Sequence, residues 1–518
     1  MRLGIDFGTT RTVVSLCDAG NHPVVHFEDA EGELQSGFPS VIAEHDGELE
    51  FGWEALARIN SDGWKVVPSF KRLIGGRGIA PLSVGEQQLS PMEALTRFFL
   101  ALRQALYTRS NLPRPLLEDQ VLEAIVATPA HADSSQRFLT LEAFRKAGFT
   151  VVGMMNEPSA AGVEYASRYR STFNSKREKI LVYDLGGGTF DASLVDMAGE
   201  RHDVIASAGL PRLGGDDFDQ LLFDMVCEEL GIEPKALSDA GRVRLRLHVR
   251  EQKEALHPNS RRIVIEIGDV LPEVDLQAHL LEEDAAVMIN VKAYYLRAEA
   301  LIEQTLEAMS PLLNADDPMD GIAGVYMVGG ASALPAVGRM LKARFGRRVH
   351  RSLNPTAATA VGLAQAFEEN SHFQVRDRLS RSFGVFREAA GGERVVFDLL
   401  FDAGQMLPAS GETVELARRY RPAHNIGHFR YVECSGLDDE GAPKGDVNLF
   451  AEIFFPYAPS LRTGDIDLSA MNISRLDAAG PLIEERYTID AMGIIDFTIT
   501  DLDSGDVRRH RFFSVEEE

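Results

Sequence analysis

The sequence predicts an α/β protein built from two related halves, followed by a smaller all-β domain. Over residues 1 to about 370, short β-branched runs alternate with helical stretches, which is the pattern of α/β units. An apolar strand followed by a turn containing glycine and threonine occurs there twice, at residues 6–10 and 184–189. From about Arg381 onward, short alternating segments separated by Gly, Pro and Asp replace the helical patterns.

Length and charge limit the possible classes of function. At roughly 150 residues per domain, 518 residues correspond to about three structural units. The net charge of −25 disfavours binding to nucleic acid or to an anionic membrane surface, because both carry negative charge. The three cysteines have no paired spacing, so neither a disulfide framework nor a zinc site is predicted.

The N-terminal sequence and the hydropathy predict a cytoplasmic protein. An acidic residue at position 6 comes too early for a signal peptide. No apolar run approaches the roughly 20 residues of a membrane-spanning helix. We therefore expect no membrane partner.

Within the α/β region, hydrophobic periodicity predicts the main elements. Residues 91–107 place Leu95, Phe98 and Leu102 at three- and four-residue spacing, which indicates an amphipathic helix. A second long helical region is predicted over residues 284–309. Four apolar runs predict buried strands, at residues 3–5, 12–16, 124–127 and 180–183.

A domain boundary is predicted where the composition changes. Residues 369–382 are polar and rich in charge, which is typical of a linker. We expect an α/β domain over residues 1–368 and an all-β domain over residues 383–518.

The two glycine-containing turns predict a phosphate site. Asp6 and Asp184 stand at matching positions, 178 residues apart. Glycines let backbone amides approach an anion, and threonines add hydroxyl donors. Aspartates beside phosphates can hold the water shell of Mg²⁺. One such turn alone is more often an ordinary hairpin, but two matched copies predict hairpins that grip phosphates from opposite sides. Neither copy is a Walker loop or a Rossmann fingerprint.

Seven segments in order carry a resemblance to a known family. Residues 4–10 and 184–191 resemble the two phosphate motifs of the 70-kilodalton heat-shock chaperones, the DnaK-like family. The resemblance implies a duplicated actin-like ATPase fold with ATP or ADP and Mg²⁺ in the central cleft. The other five segments resemble the family's catalytic-lysine segment (70–75), proline–arginine switch (127–137), hinge helix (156–161), the motif after the second phosphate loop (213–219) and the adenosine-binding turn (328–335).

The resemblance also implies roles for individual residues. Pro129 and Arg137 would be allosteric. The expected catalytic residues are Lys71, Glu157, Asp184, Thr189 and Asp191. The residues expected around hydrated Mg²⁺ are Asp6, Asp184 and Asp191. The expected nucleotide-binding residues are Asp6, Gly8, Thr9, Thr10, Gly186, Gly187, Gly188, Thr189, Gly214, Gly215, Lys253, Gly329 and Gly330.

The adenosine end departs from the family pattern. Ala331 and Ala333 stand where the family has Ser and Arg, and Thr356 stands in place of its Asp. Beside Lys253, Glu254 occupies a position where the family has Arg. Since an arginine stacked on a base contributes about 1–2 kcal/mol, we expect nucleotide to bind less tightly than is typical of the family.

The C-terminal region resembles the family's β-sandwich substrate domain. Residues 407–416 are similar to its strand entrance, and residues 487–499 are similar to its last hairpin, in which Gly493 is expected to adopt positive φ. Phe429 and Tyr431 alternate within the strand predicted at 428–432 and are candidates for a peptide pocket. Their residue types fit the core of the sandwich equally well.

Two family features are expected to be missing. The chain ends at Glu518, soon after the sandwich, so we expect a short member without the helical lid. The family linker is a run of leucines, whereas residues 373–379 are polar. We therefore expect this linker to dock poorly and the two domains to be weakly coupled.

The leading functional hypothesis is an ATP-dependent chaperone that hydrolyses ATP and captures unfolded or partner polypeptide through its β domain. A J-domain co-chaperone and a nucleotide exchange factor are the partners that the resemblance implies. The alternative is a scaffold or regulator that binds one dedicated partner with little nucleotide coupling. A small-molecule kinase of the same fold and a filament former are less favoured, because neither accounts for residues 487–499.

Overall fold

The computed structural model describes residues 1–74, 80–112, 121–129, 132–197, 201–282, 284–368, 374–376, 378–389, 393–462 and 466–510. The chain divides into two compact units. The first comprises Met1–Ala130 with Thr140–Val375, and the second comprises His131–Leu139 with Arg376–Glu518. In the part of the chain just listed, no helix is both long and apolar enough to cross a membrane.

Most strands of the first unit belong to two mixed sheets. The strands up to residue 376 are β1 (Arg2–Phe7), β2 (Arg11–Leu16), β3 (His26–Glu28), β4 (Leu34–Ser36), β5 (Phe38–Pro39), β6 (Val41–His45), β7 (Glu48–Phe51), β8 (Lys65–Pro68), β9 (Leu82–Val84), β10 (Gln87–Leu89), β11 (Glu123–Thr128), β12 (Thr150–Asn156), β13 (Lys179–Leu185), β14 (Phe190–Asp196), β15 (Arg201–Leu210), β16 (Arg262–Glu266), β17 (Ala286–Asn290), β18 (Ile322–Val328), β19 (Val349–Arg351) and β20 (Gln374–Arg376).

Helices lie between these strands. They are α1 (Trp53–Ala57), α2 (Lys71–Ile74), α3 (Pro91–Thr108), α4 (Ser134–Lys146), α5 (Glu157–Tyr169), α6 (Gly215–Leu230), α7 (Asp239–Glu254), α8 (Ile267–Val270), α9 (Glu273–Ala278), α10 (Val291–Met309), α11 (Pro335–Phe345) and α12 (Ala358–Gln365).

The two large sheets repeat one topology. The first has the strand order β12-β11-β1-β2-β5, and the second has β19-β18-β13-β14-β15-β20. In each, a central strand pairs antiparallel with the next strand in the chain and parallel with a later one. The register matches as well, since Asp6 lies opposite Val13 and Asp184 lies opposite Asp191. The fold is therefore the duplicated actin-like ATPase fold, with the two glycine-containing turns at equivalent positions.

The predicted strands and the first predicted helix are confirmed. Leu3 and Ile5 of β1 are fully buried, as apolar residues of a central strand should be. Helix α3 begins after Ser90, whose side chain caps the amide of Glu93, and its apolar face is buried. The four predicted strands lie within β1, β2, β11 and β13.

The helix predicted over residues 284–309 is wrong in its first part. Residues Ala286–Asn290 form β17, which pairs with β16. Val287 and Ile289 are buried in alternation, and this period of two belongs to a strand. Helix α10 then begins at Val291, where the side chain of Asn290 caps the amide of Lys292.

The polar linker was expected to dock poorly, yet part of it joins a sheet. Residues Gln374–Arg376 form β20, which lies beside β15 at the edge of the second large sheet. Strand pairing uses main-chain hydrogen bonds, which do not depend on leucine side chains. Residues 369–373 and 377 of the predicted linker lie outside the described residues.

The second unit contains a β-sandwich. One sheet has the order β22-β21-β24-β25 and the other β23-β26-β27-β28. Residues of both sheets share one core that includes Phe383, Tyr431, Tyr487 and Phe497. Gly493, in the turn between the last long strands, has a φ of 76°, as predicted. The strands are β21 (Ser382–Ala389), β22 (Arg394–Phe401), β23 (Thr413–Tyr420), β24 (Ile426–Leu437), β25 (Pro443–Pro456), β26 (Ile483–Asp490), β27 (Ile495–Asp501) and β28 (Val507–His510).

Candidate functional site

Two hairpin turns face each other across a cleft in the first unit. One joins β1 to β2 and the other joins β13 to β14. A Cβ at Gly188 would lie 2.7 Å from Thr9 Cγ2, and a Cβ at Gly187 would lie closer still to Thr10 Cγ2. Any side chain at these glycines would push the hairpins apart. The structure thus brings together the two turns that the sequence predicted to oppose each other.

Four carboxylates lie beside these turns, of which Glu157, Asp184 and Asp191 are buried and Asp6 is half-buried. Burial raises the pKa of Asp6 to about 7, with Glu157 adding to the effect and Lys71 opposing it. Burial likewise raises the pKa of Glu157 to about 7 and that of Asp191 to about 6. The pKa of Asp184 lies well above its usual range, through burial and through the charges of the other three carboxylates. So much negative charge in one place is a favourable environment for a cation.

Lys71 is held between the first turn and Glu157. It begins α2, directly after Ser69 and Phe70, and Ser69 has a φ of 54°. Its Nζ donates to the carbonyl of Phe7, lies 4.8 Å from the centroid of the Phe7 ring and lies 3.8 Å from Glu157 Oε1. These contacts orient one positive charge toward the carboxylates.

The start of α6 forms a third wall of the cleft. A Cβ at Gly214 would lie 2.7 Å from the carbonyl of Gly187, so the two segments meet backbone to backbone. Lys253 of α7 donates to the carbonyl of Gly215 at 3.0 Å and pairs with Asp219 at 2.6 Å. The predicted Lys253 therefore contacts Gly215, one of the predicted nucleotide-binding glycines.

The turn after β18 closes the remaining side. Gly329 has a φ of 81°, and a Cβ there would collide with Asp184 Oδ1 and the carbonyl of Leu185. Ala331, Ala333 and Thr356, the departures from the family pattern, also line the cleft.

The cleft has a cavity volume of about 240 Å³. Asp191 lies opposite Asp184 in the register of β13 and β14, and it is buried and does not line the cavity. Gly188 and Gly214 lie at the contacts between the turns. The predicted site residues that line the cavity are Asp6, Gly8, Thr9, Thr10, Lys71, Glu157, Asp184, Gly186, Gly187, Thr189, Gly215, Lys253, Gly329 and Gly330.

Four charged residues of the cavity, Arg11, Asp216, Asp219 and Arg250, were not predicted from the sequence, and the last three form one cluster. Arg250 pairs with Asp216 at 2.7 Å and with Asp219 at 2.9 Å, and all three line the cavity. Two signals pointed to them. Asp216 and Asp219 lie three residues apart in a motif already singled out, and Arg250 precedes Lys253 by three, so each pair shares one helix face.

Two sets of ion pairs join the two halves of the first unit across the cleft. Arg72 of α2 lies 3.3 Å from both Asp216 and Asp217 of α6. Arg11 at the start of β2 lies 2.9 Å from Glu254 at the end of α7. Glu254, which stands where the family has Arg, thus pairs with Arg11 on the opposite side of the cleft.

Arg137 does not line the cleft. Residues 131–139 belong to the second unit, where Arg137 is buried and donates to the carbonyl of Met492 at 3.3 Å. In the same segment, the Ser134 amide donates to the buried Glu433 at 3.2 Å. Pro129 belongs to the first unit, directly after β11.

Phe429 and Tyr431 do not form an accessible pocket. They are 5% and 0% exposed and lie in the core of the sandwich. Their rings stack on each other, with centroids 5.9 Å apart, and Tyr431 also contacts Phe497 of the opposite sheet. The pocket prediction is therefore wrong for both residues, because alternation along β24 turns their side chains inward.

Comparison with known proteins identifies the family. The family model described as "Hsp70 protein" matches residues 2–377. The chain belongs to the Hsp70 family.

Three Hsp70-family relatives illustrate the extent of the similarity. A chaperone protein HscA homolog of Bordetella petrii is 31% identical over 384 residues, which cover 70% of this chain and 57% of the relative. Another HscA homolog, from Chromobacterium violaceum, is 30% identical, covering 76% of this chain and 62% of the relative. The chaperone protein DnaK of Mycoplasmopsis synoviae is 29% identical, covering 70% and 57%. The chain therefore spans less than two thirds of the length of these relatives.

The Hsp70 match coincides with the cleft. Residues 2–377 include the four carboxylates, both hairpin turns and Lys71. The seven motifs that resemble the DnaK-like family all lie within this range.

Proposed function

We propose that this chain binds ATP with Mg²⁺ in the cleft and hydrolyses it to ADP and phosphate. The observation that carries the proposal is the opposition of two glycine- and threonine-containing turns beside four carboxylates, three of them buried and Asp6 half-buried. Exposed backbone amides and hydroxyls suit phosphate groups, whereas the carboxylates suit a hard cation. Membership of the Hsp70 family supports the same conclusion.

The residues present fit Mg²⁺. This ion prefers carboxylate oxygens and keeps several of its waters. Asp6, Asp184 and Asp191 would hold that hydrated ion, and the charge it supplies would offset the negative charge of the phosphates. Gly187 and Gly188 leave room between the hairpins that a Cβ would fill.

Three side chains would act on the reacting phosphate. Lys71 would hold its positive charge where negative charge develops in the transition state. Glu157, 3.8 Å from Lys71 Nζ, would accept a hydrogen bond from the attacking water. Thr189 would donate its hydroxyl to a phosphate oxygen.

The nucleoside would lie between α6, α7 and the turn after β18. Gly329 and Gly330 would let the backbone approach it, and Lys253 would support the opposite wall. Because Ala331 and Ala333 offer no charged or hydroxyl group, we expect the affinity for ATP to be lower than in relatives with polar residues there.

We further infer that the chain is a molecular chaperone whose second unit captures unfolded or partner polypeptide. The similarity to HscA and DnaK chaperones supports this role. A J-domain co-chaperone and a nucleotide exchange factor are the partners that we expect. The hydrogen bond from Arg137 to the carbonyl of Met492 supports a role of this segment in coupling.

The ATPase proposal is tested by phosphate release from the purified full chain. Hydrolysis should be slow, should require Mg²⁺ and should be lost in Lys71→Met. Lys65→Met is the matched control, since Lys65 is an exposed lysine on β8 outside the cleft. Phosphate release that continues undiminished in excess EDTA would overturn the assignment.

A peptide array probed with and without ATP tests the chaperone proposal. Binding to many extended peptides, weakened by ATP, supports a chaperone. A single hit, or none, favours a scaffold with one dedicated partner. Neither outcome affects the ATPase proposal, because hydrolysis is measured without peptide.

A further inference from the structure

A tight hairpin follows β2, at the end of the strand that is distant from the cleft. Asp18 and Asn21 exchange two main-chain hydrogen bonds, of 2.9 and 2.8 Å. The two residues between them, Ala19 and Gly20, have φ values of 45° and 89°. Positive φ at both central positions defines a type I′ turn, which sets the register of a two-residue hairpin.

This register places Cys17 directly opposite His22. The flanking bridge between Ser15 and Val24 continues the same pairing. Next to a hydrogen-bonded pair of an antiparallel ladder comes a non-hydrogen-bonded pair, in which the side chains approach most closely. The turn therefore brings a thiol and an imidazole side by side.

A carboxylate from a distant part of the chain completes the cluster. Glu368 follows α12, and its amide donates to the carbonyl of Gln365. One ligand atom each of Cys17, His22 and Glu368 lies within 4.8 Å of the other two. In tetrahedral sites with bond lengths of about 2.0–2.3 Å, ligand atoms lie roughly 3.5 Å apart. The side chains thus need to move by only about 1 Å to surround one ion.

His22 and Glu368 are in close contact, but their geometry does not make a hydrogen bond. His22 Nε2 and Glu368 Oε1 are 2.9 Å apart. Both atoms are buried, yet neither forms a hydrogen bond with the other or with any other described group. By contrast, the His428–Glu452 pair of the second unit is 2.6 Å apart and is hydrogen-bonded. Buried polar atoms without partners are costly, and a shared cation would satisfy both.

We propose that Cys17, His22 and Glu368 form a binding site for Zn²⁺. Thiolate, imidazole and carboxylate are the three ligand types of zinc, whereas Mg²⁺ and Ca²⁺ prefer oxygen ligands alone. With three protein ligands, a water molecule would take the fourth position. This site is separate from the nucleotide cleft, because the six residues of β2 span about 20 Å between them.

Zn²⁺ at this site would join two distant segments of the first unit. The hairpin follows the strand that leaves the first phosphate turn, and Glu368 lies just beyond the last helix of that unit. The ion would therefore fasten the C-terminal end of α12 to the hairpin.

The test is a titration of the nucleotide-free full chain with Co²⁺, followed by displacement with Zn²⁺. Cobalt bound to a thiolate has a charge-transfer absorption band that oxygen ligands do not produce. We expect one Co²⁺ per chain with this band, and loss of the band when Zn²⁺ is added. Absence of the band at micromolar protein would overturn the proposal.

Variants connect the band to the three residues. Cys17→Ser should abolish it, and His22→Gln and Glu368→Gln should each weaken binding at least about tenfold. The matched controls are Cys434→Ser and His428→Gln, which alter a buried thiol and a hydrogen-bonded histidine outside the cluster. If Cys17→Ser does not fold, the cobalt affinity of His22→Gln is the deciding measurement. Unchanged cobalt affinity in His22→Gln, or in a folded Cys17→Ser, would contradict the site.

Discussion

Replacing Arg387 should strongly destabilise the β-sandwich. Its guanidinium donates to Glu485 at 3.0 and 2.6 Å and to Asp398 at 2.7 Å. The Glu485 side chain is 0% exposed, and the Arg387 side chain is 22% exposed. Tyr420 and Tyr487 also donate to Glu485. Arg387→Met keeps the apolar part of the side chain but leaves a buried carboxylate without its cation.

The size of the effect follows from this burial. Removing one partner of a buried ion pair costs about 3–5 kcal/mol. Because Arg387 keeps some contact with solvent, we expect a loss near the lower limit, about 3 kcal/mol. With an m-value of about 2 kcal/mol per molar urea, the midpoint should fall by about 1.5 M. The double variant Arg387→Met/Glu485→Leu should recover most of the stability, because it removes both charges.

The two units can be followed separately in one urea series. Hydrogen exchange of β26 and β27 reports on the sandwich. The only tryptophans of the chain, Trp53 and Trp64, report on the first unit by fluorescence. The tryptophan transition should therefore not move in Arg387→Met.

An exposed pair of the same geometry is the control. Arg297 donates to Glu228 at 3.0 and 2.8 Å, with side chains 45% and 58% exposed. Arg297→Met should cost at most about 1 kcal/mol. A loss in Arg387→Met that is no larger, or a double variant as unstable as the single one, would refute the argument from burial.

Three further predictions concern the cleft and the acid stability of the chain. Lys71→Met should lower the rate of ATP hydrolysis about a hundred- to a thousandfold but leave ATP affinity nearly unchanged; near wild-type turnover would assign the role to another group. Glu254→Gln should speed nucleotide release, measured by stopped flow, by at most about fivefold, because its ion pair across the cleft is exposed; slower release would contradict this. Although burial opposes them, hydrogen bonds from Arg418 and Arg387 hold the pKa of Asp398 below its usual 3.8. Asp398 therefore stabilises the fold above pH 3.8 and loses this effect as the pH falls below it, so Asp398→Asn should show a shallower loss of unfolding free energy on acidification; an unchanged pH profile would contradict this.

Much of the cleft was predictable from local sequence. Each hairpin turn is a short motif, and the chemistry of Asp, Gly and Thr in that order indicates a phosphate site. The repeat of this motif predicted the duplicated fold, and hydrophobic periodicity predicted α3. The strand β17 was missed because a short apolar run before a helix has no clear period of its own.

Side-chain direction in the sandwich was not predictable from residue type. Phe429 and Tyr431 are aromatic and alternate, which suits both a pocket and a core. Only the pairing of β24 with β21 and β25, and the position of the opposite sheet, decide that these rings are buried.

By itself, the sequence determined the local motifs: the two turns, the lysine of α2 and the glycines that bring backbone segments together. Tertiary structure alone decided the pairs between distant residues. In the sequence, Glu254 is only a replacement for the family's arginine, whereas in the structure it pairs with Arg11. Cys17 has no partner that the sequence indicates, whereas in the structure it lies close to His22 and Glu368. The physical reason is that turn geometry depends on neighbours in the chain, whereas charge pairing and metal coordination depend on distances of a few ångströms that chain folding alone establishes.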